Sequence, residues 1–109
     1  MRALHALTAL LLVLAAPVAA AAQGQEEPAD SVVQAAVDAA SAELGVPAEN
    51  LIVVMSAQRD WADTSLGCPE PGRTYAQVIT PGYVVIIDTD DLVTEIQVNT
   101  DTDSRAAIC

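Results

Sequence analysis

The sequence predicts an α+β domain, in which one N-terminal helix packs on an antiparallel sheet of about four strands and one disulfide closes the fold. Three observations carry that expectation. Apolar residues recur at helical spacing in one early segment, and β-type alternation takes over after it. The two cysteines, Cys68 and Cys109, stand in mid-chain and at the last of 109 positions.

The chain opens with a stretch that reads as a secretory signal peptide over residues 1–22. Arg2 supplies the positive start, residues 7–16 are apolar except for Thr8, and Pro17 ends the run. The small residues that follow place Ala20 and Ala22 at the positions signal peptidase needs for cleavage before Gln23. Export in turn favours a Cys68–Cys109 disulfide, because an even cysteine count in a small exported domain is most simply a bridge. Residues 23–29 are polar, hold Gly24 and Pro28, and form a flexible lead. Residues 30–109 are then one small domain.

Asp30 or Ser31 is expected to cap the helix, with Val33, Ala36, Val37, Ala40 and Leu44 on its apolar face. Gly45, followed by Val46 and Pro47, gives the stop. The β-branched run from Leu51, continued to Arg59, reads as the first strand. Residues 60–74 hold Gly67, Pro69, Pro71 and Gly72, have no period, and form a long loop. Residues 75–79 read as a strand, Pro81 and Gly82 as a turn, residues 83–88 as a strand, and residues 92–99 as another after a turn at Asp90 and Asp91. The tail from Asp101 is acidic and then apolar up to Cys109.

Charge excludes several activities. The chain has 15 Asp and Glu and a formal charge of −11. Cleavage of the leader would remove His5, the one histidine, and leave only Arg59, Arg73 and Arg105 as cations. Nucleic-acid binding needs clustered Lys and Arg, so it is not expected. Without the leader no membrane association is expected either. Catalysis is poorly supplied as well: with no His, no Lys and no free thiol, the serines have no base to activate them, and the chain is not expected to be an enzyme. No cofactor and no metal are expected. Asp88, Asp90 and Asp91, and the alternating Asn99, Asp101 and Asp103, look superficially like calcium ligands but fail the EF-hand spacing, and they read as turn residues.

The segment from Trp61 to Tyr83, WADTSLGCPEPGRTYAQVITPGY, is the most informative part of the chain. It resembles a signature of small exported bacterial proteins, W-x-D-x-S-L-G-C-P-x-P-G-x-x-Y-A-Q-x-x-x-P-G-Y, followed by strands and a terminal Cys. The resemblance implies a secreted or envelope-associated single domain with no established activity. Members usually continue the last strand as Y-x-Y-H-T-D, where this chain has Ile96-Gln97-Val98-Asn99-Thr100-Asp101. The order of helix and antiparallel strands is also similar to PepSY and cystatin-like domains, which are associated with peptide binding and, in part, protease inhibition.

Physically, Trp61, Asp63, Ser65, Gly67, Pro69, Pro71, Gly72, Tyr75 and Tyr83 are expected to shape the loop. Trp61 anchors it by burial, Asp63 and Ser65 satisfy turn amides, and the prolines stiffen it. Leu66, Glu70 and Arg73 are the candidate exposed contacts for a protein or peptide partner. The expected role is a secreted, non-enzymatic binding module presenting a disulfide-locked loop. The alternatives are a protease inhibitor presenting the same loop, or a purely structural envelope component.

Overall fold

The computed structural model describes residues 27–109. The expected signal peptide, and most of the lead after it, lie outside the described residues. Helix α1 (Asp30–Leu44) is followed by a single 3-10 turn (Ala48–Asn50) and strands β1 (Leu51–Trp61), β2 (Thr80–Thr89), β3 (Glu95–Asp101) and β4 (Ala106–Ala107). The strands form one sheet in the order β1-β2-β3-β4, and every neighbouring pair is antiparallel. The α+β architecture with one helix, a four-stranded antiparallel sheet and a Cys68–Cys109 disulfide is therefore as the sequence predicts.

α1 starts without a side-chain cap. Ala29, not Asp30 or Ser31, is the capping residue, and its carbonyl takes the amides of Val32 and Val33. Gly45 ends the helix at φ 68°, in the left-handed region, while the amides of Gly45 and Val46 both bond back to Ser41. The Val46 bond is the 6→1 closure of a Schellman motif, and the Gly45 bond is the 5→1 closure of the αL motif. The buried stripe is Val32, Ala36 and Ala40, one residue ahead of the expected Val33; Val37 packs at its margin. Small alanines let the helix lie close over β2, β3 and β4, and it touches β1 least.

Opposed residues in an antiparallel ladder share a face. Toward the helix the rows read Val53, Ile87, Ile96; then Ser56, Val85, Val98; then Gln58, Tyr83, Thr100. Val85, Ile87, Val98 and Tyr83 from these rows join Val32, Ala36 and Ala40 in the core. The other face carries Met55, Ile86, Gln97; then Ala57, Val84, Asn99; then Arg59, Gly82, Asp101. A bulge between Val53 and Met55 keeps both rows in phase along β1.

Three expected elements are corrected. Residues 75–79 are not a strand: Val78 and Ile79 stay exposed, and among the described residues no strand pairs with them. Pro81 and Gly82 are not a turn but lie inside β2, opposite Asp60 and Arg59. β3 begins at Glu95 instead of Leu92, because the hairpin is closed by the Thr89 hydroxyl accepting the Thr94 amide and the Asp91 carboxylate accepting the Val93 amide. Leu92 sits in that turn at φ 62°.

Candidate functional site

The long loop folds over the face of the sheet opposite the helix, in two tiers. Its base is built on Trp61, the last residue of β1. The indole is 5% exposed, and its N–H donates to the Thr100 carbonyl at 2.9 Å. Gly82 lies beneath this crossing. A Cβ there would meet the Thr100 oxygen at 1.8 Å and the indole nitrogen at 2.8 Å. Gly67, at φ 78°, leaves room for the far edge of the same indole. The Arg59 guanidinium covers the ring, 5.0 Å from its centroid.

Leu66 belongs to this tier. It was expected as an exposed contact, yet it is only 1% exposed and holds φ 58°. The reason is geometric. The left-handed turn at Leu66 and Gly67 tucks the side chain inward, and the Asn99 amide donates to the Leu66 carbonyl at 2.9 Å. Asp63 takes both the amide and the hydroxyl of Ser65, and these bonds hold its carboxyl below the usual range. Cys68 and Cys109 then tie the loop to the chain end, with Cα atoms 5.3 Å apart.

The second tier is the tip. Pro69, Glu70, Pro71, Gly72, Arg73 and Thr74 are all exposed. The Arg73 amide bonds the Glu70 carbonyl, and Gly72 supplies φ 82° for that turn. The Tyr75 hydroxyl accepts the Glu70 amide at 3.0 Å, while the Arg73 guanidinium lies over the Tyr75 ring at 5.5 Å. Glu70 and Arg73 pair at 3.5 Å. Tyr83, by contrast, lies on the helix side and takes no part in the loop.

Between the loop and β4 lies an open groove of about 390 Å³, lined among others by Thr64, Glu70, Arg73, Tyr75, Arg105 and Ala106. Two of the three described arginines meet there. The Arg105 guanidinium donates to the Thr64 carbonyl at 2.7 Å and pairs with Asp101 at 3.6 Å. Asp101 is buried and also accepts the amides of Asp103 and Arg105. Both arginine side chains remain more than half exposed, at 62% and 57%.

The loop thus brings Trp61, Asp63, Ser65, Leu66 and Gly67 together as a packed base, and sets Glu70 and Arg73 on an exposed tip. Sequence reading missed Asn99, Thr100, Asp101 and Arg105. The available signal was the break in alternation at the end of β3, where Val98 is followed by the polar run Asn99-Thr100-Asp101. Among the described residues, no three His, Cys, Asp or Glu side chains gather closely enough to hold a metal ion. Nor is any helix there long and apolar enough to cross a membrane.

These features define a small α+β domain carrying a disulfide-tied loop over one sheet face. Residues 33–109 match a family described as a domain of unknown function (DUF8738), and the chain belongs to it. No curated protein and no solved structure matches the chain.

Proposed function

We propose that this protein is an exported, non-enzymatic binding module, and that it engages a protein or peptide partner through the loop tip and the groove beside it. The observation that carries the reading is the meeting of Arg73 and Arg105 in one open groove of a strongly acidic chain. Each guanidinium keeps free N–H donors, so the group best matched is a carboxylate on the partner. The tip is already held by the Glu70 pair, the Tyr75 hydroxyl and the disulfide, so little conformational freedom is lost on binding. Export rests on the leader and agrees with the disulfide.

The inhibitor alternative loses its strongest residue with Leu66, since a loop that enters a protease cleft must project its anchoring side chain. Arg73 stays available for such a role, which would be directed at enzymes that cleave after basic residues. The structural alternative is favoured by the loop base, whose contacts are all internal.

The test compares capture of extracytoplasmic proteins from the producing cells by the wild-type chain and by Arg73→Ala and Arg105→Ala. A partner held by the wild type and lost with both variants supports the reading. Equal capture by all three sinks it. Trypsin-like proteases assayed alongside, with the protein at micromolar concentration, separate the inhibitor from other binders.

A further inference from the structure

We infer that the groove receives the free C-terminal end of an extended peptide, with its carboxylate on Arg73 and Arg105 and its backbone along the open side of β4. The inference rests on the binding reading above and narrows the partner to a chain end.

In the order β1-β2-β3-β4 one side of β4 has no neighbour. Residues of an antiparallel strand turn their backbone groups alternately toward the partner strand and away from it. The Arg105 carbonyl takes the Asp101 amide at 3.1 Å, and Ala107 stands opposite Asn99. Ala106, between them, therefore turns its N–H and C=O to the open side. It also lines the groove, and its methyl is too small to screen either group. A peptide strand added there gains main-chain hydrogen bonds. At about 390 Å³ the groove is at the small end of ligand clefts, so it holds the end of a peptide and not a folded element.

Free donors gather around that strand. The Thr64 hydroxyl accepts the Ala76 amide at 3.1 Å, and the Tyr75 hydroxyl accepts the Glu70 amide at 3.0 Å. Neither O–H donates to an acceptor among the described residues, and both side chains line the groove. Arg105 directs Nε to Asp101 and Nη2 to the Thr64 carbonyl, which leaves Nη1 without a partner among the described residues. Carboxylates of the chain itself do not fill the site. Asp101 has a side chain 7% exposed and does not line the groove. Glu70 does line it, but its pair with Arg73 is 64% and 62% exposed, and such a pair is weak enough to be shared with a second acceptor.

The position of Arg105 favours a chain end over an internal Asp or Glu. Its side chain reaches from the start of β4 to the Thr64 carbonyl on the loop, 2.7 Å away. Both residues line the groove, so the guanidinium lies across it. A peptide that ran on past Arg105 would have to part that bond. One that stops there, with its last residue beside Ala106, brings its carboxylate to the open Nη1 edge and makes a charge-assisted pair.

Amide-resolved NMR titration of the disulfide-bonded protein, produced in an exporting host, tests this. The probes are acetyl-Ala-Val-Ala with a free carboxylate, the same peptide amidated, and amidated acetyl-Ala-Glu-Ala, whose carboxylate is internal. The free acid should give saturable shifts at Arg105, Ala106 and Ala107 in the millimolar range, and the amide should bind about tenfold or more weakly. Arg105→Gln and the exposed Arg73→Gln should each weaken the free acid by roughly threefold or more, while Arg59→Gln, outside the groove, should not. The spectrum of each variant shows whether it stays folded. Equal binding of the free acid and its amide overturns the inference. Internal-carboxylate binding as tight as the free acid overturns the chain end and leaves the broader carboxylate reading standing. No saturable shift from the free acid up to about 20 mM also overturns the inference, and the capture experiment then decides the broader reading on its own.

Discussion

The indole of Trp61 bonds the carbonyl of Thr100 across 39 residues of chain, and it does so directly over Gly82. This one crossing joins the end of β1 to the end of β3 and gives the loop its floor. Removing the ring leaves a cavity and an unpaired carbonyl. Trp61→Ala should therefore cost about 3 kcal/mol or more in chemical denaturation. In the native state, tryptophan fluorescence should resist quenching by acrylamide.

Gly82→Ala should be worse tolerated than an ordinary overpacking change, which costs about 1–3 kcal/mol. The new methyl would sit 1.8 Å from the Thr100 backbone oxygen, so the β2–β3 ladder must part to admit it. The expected outcome is loss of soluble folded protein, or a chain whose amide exchange in β2 and β3 is no longer protected.

The Cys68–Cys109 bridge spans 41 positions. Loop-closure entropy assigns it about 4 kcal/mol, a large share of the stability of a domain this size. The double variant Cys68→Ser, Cys109→Ser should melt well below the wild type, and protease should then cut first within residues 62–79. Equal melting temperatures under native and reducing conditions would remove the bridge from the account.

Acid should lower the stability of the domain in part through two turn carboxylates. Asp63 is held below the usual range by the hydroxyl and amide of Ser65, and Asp91 by the Thr89 hydroxyl and the Val93 amide. A lowered folded pKa adds stability that is complete above the unfolded value, about 4. That stability is lost as pH falls through the lower folded value. The melting temperature should thus hold from neutrality to about pH 5 and decline below pH 4. In Asp63→Asn the decline should be shallower, starting from a less stable protein.

How much of this was legible in the sequence follows from which residues act locally. Gly45-Val46-Pro47 ends the helix with nearest-neighbour bonds, and the alternation after Leu51 records a half-buried ladder, so both were readable. Gly82 was not. Pro-Gly signals a turn by local propensity, whereas here the glycine answers to an indole and a backbone brought in from other strands. Residues 75–79 carry strand-forming side chains without any partner strand among the described residues; the Thr64–Ala76 bonds and the Glu70 amide on the Tyr75 hydroxyl hold that stretch to the loop. Leu66 read as exposed because it is a lone large aliphatic residue in a loop of Gly, Pro and polar residues. Its burial depends on a left-handed backbone and on Asn99, 33 positions away.

The central claim is that the loop has a buried base and a tip that meets a partner. Its most direct test places a photo-crosslinking amino acid at Pro71 on the tip and, in a second protein, at Leu92 on the remote hairpin, each expressed with export in the producing organism. The account predicts a discrete adduct from position 71, lost when Arg73→Ala is added, and none from position 92. No adduct from position 71, or the same adducts from both positions, would contradict it.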